Sequence, residues 1–520
     1  MAGATVHPIE SAKHGGVVSR ISRAVAAAEL PLLGLAAPAL IFPRGPLPLV
    51  GLVAILGLWL AQLVSRRRIA VPTPLDLPLL ILLAMALESI YPSVDLGASM
   101  PKLYGIVLGV ALYHAVVNGI GGWIRWWIAV AALMAGAVAV ALFGLVSTAW
   151  IVGKMPLIGA VTSRIPRLVS SVDSSLGTIA GVHPNELGGS LAFLLPLPLA
   201  LIFWCIGNGT TKTPRHRESL RVRLVGLRVL VHWWFAPAGA LLTLLVAGSV
   251  LALTYSRSAL LGLACGSLLL LGLRWRRLGY LLVGAAFLVA VALAAIGPRA
   301  VQDWVTQLDR ATSAYPTAID RPEIWNRTTY MIQDFPFTGI GLNSFPGVLD
   351  TLYPSVLAGP DARIPHAHNI YLQTAVDLGL AGLMAFVGVW LIVGWEAASA
   401  FRRAADPLAK GAVAGLGAGC LAYLVFGITD AVTLGAKPLP LLWAMVGLIV
   451  VANRLLATTK EEEGSLGDTP NRDRGRSPLD PRLLVREAGR TLWMLYWAVA
   501  ILFAGMAYLV VGISISGWVP

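Results

Sequence analysis

Apolar runs about 20 residues long recur from one end of this chain to the other, and that recurrence leaves few folds open. A helix rises 1.5 Å per residue, so roughly 20 residues match the ~30 Å hydrocarbon core of a bilayer. Thirteen such segments can be read: 24–43, 46–64, 75–92, 101–119, 123–147, 183–204, 233–253, 256–273, 278–296, 370–394, 411–430, 438–455 and 491–512. At 57% hydrophobic and 12% charged residues the chain is far from the ~25% charge of soluble domains, which excludes a water-soluble globule. The fold class expected is therefore an all-α polytopic membrane bundle of about 12–13 transmembrane helices. Its expected organisation is a cytoplasmic tail over 1–23, a bundle over 24–455 with a loop inserted at 297–369, a charged Gly/Pro/Ser-rich linker over 456–490 with little to bury, and an additional span at 491–512.

The net charge of +13 carries its information in where it lies. With the N-terminus in the cytoplasm, 27 of the 39 Lys and Arg residues fall on loops of that side and 12 do not, which sets the expected orientation. The inner basic stretches, including 205–232 and the Arg274–Arg277 run, read as solvated connectors, and no nucleic-acid partner is expected. The N-terminus lacks a short apolar core followed by a small-residue cleavage site, so the first apolar segment is expected to stay in the mature chain. Cys205, Cys265 and Cys420 are odd in number and lie in or beside apolar segments, which implies neither a disulfide framework nor a thiolate cluster. Glu88, Glu186, Asp377 and Asp430 sit near segment ends expected on the outer side, either as a polar cap or as ordinary interfacial residues.

The expected outer loop, 297–369, holds most of the chemistry. Val301, Trp304, Val305 and Leu308 form the apolar stripe of a helix lying on the membrane surface or on the bundle. A second helix is predicted from RPEIWNRTTYMIQD, with Pro322 at a favourable first position and Ile324, Trp325, Thr328 and Met331 along one face. Arg321 then stands at a helix N-terminus and reads either as a surface arginine at a helix entry or as part of an anion site, where unpaired N–H groups favour anions and Glu323 is placed to hold its guanidinium. A Gly-rich turn, FPFTGIGLNSFPG, follows; it lacks the GK[ST] of a phosphate loop. The loop closes on His366, His368 and Asn369. This pair fits a general base, an interfacial polar group, or zinc ligation, the last requiring Asp361 or His183 as a third ligand. Arg257 at the expected outer junction of two spans runs against the positive-inside trend and reads as a second anion contact or as a snorkelling side chain.

These residues resemble the O-antigen ligase / Wzy-type polymerase superfamily of integral membrane glycosyltransferases. That family's H-[NSQ]-x9-G-x-x-G motif is matched by His368, Asn369, Gly379 and Gly382, its SR at a span end by Ser256 and Arg257, and its R-x-x-x-W element by Arg321 and Trp325. The likeness includes Asn185 in HPNELGG and covers about residues 24–455. It implies a GT-C-like scaffold that moves a glycan from an undecaprenyl-diphosphate donor to an acceptor hydroxyl on a glycan or glycolipid, at the outer face of the bacterial inner membrane, as in lipopolysaccharide biosynthesis. It further implies His368 as general base and Arg257 with Arg321 as diphosphate ligands, with His366, Asn369, Glu323, Trp325 and Asn185 in support. No metal and no cofactor are expected, and transfer is expected to invert the anomeric centre. A polymerase acting on lipid-linked repeat units shares every one of these motifs. A transporter of lipid-linked sugars would instead favour mid-membrane charges and paired broken helices.

Overall fold

The computed structural model describes residues 22, 24–26, 28–43, 45–148, 150, 160–166, 182–206, 236–297, 300–301, 303–304, 306–307, 321–355 and 364–467. Its elements are α1 (Glu29–Ile41), α2 (Leu47–Arg66), α3 (Asp76–Glu88), α4 (Leu96–Gly119), α5 (Trp123–Ser147), α6 (Pro184–Leu194), α7 (Pro196–Ile206), α8 (Ala236–Thr254), α9 (Arg257–Arg274), α10 (Arg276–Ile296), α11 (Arg321–Asp334), α12 (Phe345–Leu352), α13 (Ile370–Arg403), α14 (Pro407–Phe426) and α15 (Leu439–Gly467). Ten helical stretches among these residues are long and apolar enough to cross a membrane. The protein is an all-α polytopic membrane protein. Two expected spans are shorter than their apolar runs: 24–43 yields the 13-residue α1, which contains Pro38, and 75–92 yields the 13-residue α3. The expected span 491–512 lies outside the described residues. The charged stretch after 455, read as linker, continues α15 to Gly467, in keeping with the good helix propensity of Lys and Glu.

Hydrocarbon offers no drive for apolar faces to associate, so close backbone packing has to hold the bundle. α14 supplies it with a row of glycines: a Cβ at Gly415 would come within 2.7 Å of Leu197 Cα, and one at Gly419 within 2.3 Å of Phe193 O. α9 approaches the same helix through Gly262, whose Cβ would meet Ala422 O at 2.5 Å. The central helices α13, α14 and α15 are mostly buried, whereas α2 exposes Leu49, Val53, Leu56 and Leu60 and α10 exposes Leu281, Phe287 and Leu288, the faces expected to meet lipid acyl chains.

α13 carries the feature that positions the loop. Gly379 adopts φ 68° and ψ 179° inside the helix and interrupts it. The opened backbone is met by the Gly-rich turn: Ile340 N donates to Val376 O (2.8 Å) and Leu380 N donates to Pro336 O (2.8 Å). A Cβ at Gly379 would stand 2.1 Å from Phe337 O. On its other side the turn is pinned to the first turn of α4, with Ser99 Oγ donating to Leu342 O (2.6 Å) and Asn343 Nδ2 to Ala98 O (3.1 Å). The turn is thus a wedge between two helices. Gly379→Ala should cost about 1–3 kcal/mol for its backbone conformation alone, before the collision with Phe337 O is counted. A clear fall in the melting temperature of the detergent-solubilised protein is expected, with a much smaller fall for Gly394→Ala, where a Cβ meets nothing.

Candidate functional site

Segments remote in sequence meet at the end of the bundle that bears the wedge. α13 starts at Ile370 because Asn369 caps it, its Oδ1 accepting from Tyr371 N and Leu372 N, both at 3.0 Å. Asn369 Nδ2 donates to Ile428 O (3.0 Å), and Ile370 N donates to Gly427 O (2.7 Å), so the helix start is joined to the α14–α15 connection. Immediately before the cap, His368 holds φ 48°, an uncommon conformation for a residue with a side chain. The turn around it is held from three sides. Gln373 Oε1 accepts from Ala367 N (2.7 Å), Trp325 Nε1 of α11 donates to Ala367 O (2.9 Å), and His366 Nδ1 accepts from His368 N (3.1 Å).

This geometry places His368 Nδ1 3.2 Å from Asp430 Oδ1. Asp430 is 2% exposed, and its other oxygen accepts from Asn185 Nδ2 at 2.8 Å, while Oδ1 also accepts from Ala431 N at 2.9 Å. Burial alone would raise the pKa of this carboxyl. The hydrogen bond from His368 lowers it, as does the positive charge of Arg321, and the balance holds it below the usual carboxylate range. An ionised carboxylate only accepts, so the His368 proton belongs on Nδ1 and the lone pair on Nε2 is left for a substrate. His366 lies beside it, ring centroids 4.3 Å apart, with Nε2 4.0 Å from Asp430 Oδ1. Burial, then the neighbouring His368, push the His366 pKa well below 6.5 and keep that ring neutral.

The two arginines enter from helix starts. Arg321 is the first residue of α11, with its charge in electrostatic reach of Asp430. Arg257 is the first residue of α9, following a left-handed Tyr255 (φ 49°), and the next residue, Ser258, accepts through Oγ from Thr429, which precedes Asp430 (3.0 Å). Glu323, expected to steady Arg321, directs its carboxylate to Arg327 (3.5 Å) and to Ser355 Oγ (2.8 Å). Of the first predicted loop stripe, Val301 and Trp304 lie in helical backbone, and Val305 and Leu308 lie outside the described residues.

The arrangement corrects one expectation. The third potential ligand beside the histidine pair is Asp430, with one ligand atom from each of the three residues within 4.8 Å of the others. His183 instead caps α6, its Nδ1 accepting from Asn185 N (3.2 Å), and Asp361 lies outside the described residues.

A family model described as O-antigen ligase matches residues 242–387. Over these residues, about a quarter of its length, the chain is similar to O-antigen ligases. No curated protein matches the chain. The O-antigen ligase segment runs from within α8 into α13 and contains Arg257, Arg321, Trp325, His366, His368 and Asn369. Its geometry gives physical reasons for the family-like motif read from the sequence: Asn369 caps, and Gly379 admits the wedge.

Sequence spacing groups Asp430 with three other acids near span ends and does not single it out. The available signal is the cost of leaving a carboxylate there: one that ends an apolar run needs partners, and Asp430 has them in His368 and Asn185. Gln373 gives no such signal, because a glutamine one turn into a helix is ordinary. Since folded His366 resists protonation, the unfolded chain binds more protons below pH 6.5 and stability falls as pH drops through that value, by up to about 1.4 kcal/mol per pH unit. His366→Asn keeps an acceptor for His368 N and removes the titration, so the fall in melting temperature between pH 7.5 and 5.5 should be shallower than in the parent.

Proposed function

We propose that this protein transfers a glycan from an undecaprenyl-diphosphate carrier to an acceptor hydroxyl at the outer face of the inner membrane. The single observation behind this reading is the His368–Asp430–Asn185 chain of hydrogen bonds, with Arg321 beside it, around an O-antigen ligase segment. As the hydroxyl attacks the anomeric carbon, the bond from that carbon to the diphosphate oxygen breaks. His368 Nε2 takes the hydroxyl proton, and Asp430 keeps the resulting imidazolium in place and balances its charge. Arg257 and Arg321 take up the negative charge that develops on the departing diphosphate, each presenting a planar fork of donors to phosphate oxygens. A single attack from the face opposite the diphosphate inverts the anomeric centre. The acceptor is a glycolipid in the ligase form of this reaction and a second lipid-linked unit in the polymerase form, and both use the same base and the same anion clamp.

The cluster of His366, His368 and Asp430 supports a second reading, a bound divalent metal. Against it, His366 Nδ1 is already engaged by the His368 N–H, and Arg321 places positive charge on the same carboxylate.

In liposomes supplied with undecaprenyl-diphosphate glycan and either lipid A core or a second lipid-linked unit, His368→Ala should lower turnover by at least about 10²-fold while membrane insertion is retained. Near-parental turnover would remove the base assignment. Arg257→Lys and Arg321→Lys should each weaken transfer, because an ammonium is a point charge without the paired donors; two fully active lysine variants would misplace the clamp. Transfer should persist in a chelator. Loss in EDTA that zinc restores would assign the cluster to a metal.

A further inference from the structure

Behind the histidine turn lies a buried polar chain that the transfer chemistry does not touch. Gln373 is 3% exposed and Asp377 7% exposed, one turn apart on α13. Gln373 Nε2 donates to Asp377 Oδ1 (2.9 Å), and Gln373 Oε1 accepts from Ala367 N (2.7 Å). The polarity of this chain is forced. The backbone N–H of Ala367, between the two histidines, can only donate, so it takes the oxygen of the Gln373 amide and turns the Nε2 end towards the Asp377 carboxyl. The backbone N–H of Asn343, in the wedge, also faces Asp377.

The basic neighbour of this carboxyl is Lys102 of α4, in electrostatic reach of Asp377 and of Glu186. Its Nζ donates to Thr433 Oγ1 at 2.7 Å, three residues beyond Asp430 on the α14–α15 connection. The same connection is pressed onto α4 at this residue, where a Cβ at Gly435 (φ 80°) would stand 2.0 Å from Lys102 O. One buried acid and one buried amine in electrostatic reach of each other therefore touch both loops of the site: Asp377, through Gln373, holds the loop bearing His368, and Lys102, through Thr433, holds the loop bearing Asp430.

We infer that Gln373, Asp377 and Lys102 are positioning residues that fix His368 against Asp430 and hold its left-handed backbone. This rests on the reading of His368 as the base. Such residues act on the chemical step: displacing a base by about 1 Å can cost about 10²-fold in rate without contact to substrate.

The forced polarity supplies a test that a merely structural role would not pass. Gln373→Glu sets two carboxylates against each other, whereas Gln373→Glu combined with Asp377→Asn keeps the net charge and rebuilds the chain with its donor and acceptor exchanged: the new carboxylate accepts from both Ala367 N and the introduced amide. With the full-length protein in liposomes, an undecaprenyl-diphosphate oligosaccharide as donor and a glycolipid as acceptor, Gln373→Glu should lower kcat about 10²-fold with donor KM within about twofold, and the double variant should recover to within about threefold of the parent. If the single variant fails to accumulate in membranes, Gln373→Met, similar in size and without the amide, carries the same expectation for kcat and KM. Parental kcat in whichever single variant is measured, or a double variant no better than Gln373→Glu where that accumulates, would overturn the inference. His368→Ala in the same preparation separates the two levels: if it is inactive while the single variant is unaffected, only the positioning chain falls, and if it is active both readings fall.

Discussion

Inside a bilayer no water is available to satisfy a backbone group that a helix lets go, and this constraint organises the functional end of the protein. Interrupting α13 at Gly379 frees Val376 O and Leu380 N, and the structure answers with the 336–343 turn, which supplies a donor to the first and an acceptor to the second. Everything above follows from that seat. α11 and α12 flank the turn in sequence, α11 brings Trp325 onto Ala367 O, and Arg321 heads the same helix. The loop is not draped over the bundle but keyed into it, at Gly379, the glycine that follows the His-Asn pair with nine residues between.

The interruption also separates two jobs along α13. Residues before it, from Asn369 to Asp377, carry the helix cap and the polar chain to Ala367. Those after it, including Ala385, Phe386, Val389 and Val393, belong to the apolar core. Buried polar side chains return only near the far end of the helix, at Glu396 and Ser399, and Glu396 accepts from Asn453 Nδ2 (2.7 Å) there; at both ends the carboxylate is hydrogen-bonded, the condition under which buried polarity is tolerable.

Much of this was legible in the residues. Runs of about 20 apolar residues identify most of the spans because length and hydropathy are local properties. Pro322 with Ile324, Thr328 and Met331 gives α11 and its buried face. The histidine pair and both arginines are visible as polar groups where apolar sequence stops. What the residues did not disclose depends on tertiary pairing. α1 and α3 are shorter than their hydropathy implies, since helix ends are set by caps and prolines as well as by apolarity. Asp430 acquires its meaning from a loop 62 positions away in sequence, and Gln373 from the direction of a single amide. Neither relation has a periodicity to betray it.

Asn185 and Asp430 stand on either side of the residues that match the O-antigen ligase family, at 242–387. A fragment cut to those limits would retain both arginines and the imidazole, yet would lose the carboxylate that orients the ring, the amide that orients the carboxylate, and α14, whose glycine row lets the other helices close. The recognisable segment is thus not a transplantable module. The hydrogen-bonded unit around the histidine turn extends at least from the Lys102 helix to Thr433, limits that a chimaera or truncation would cut across.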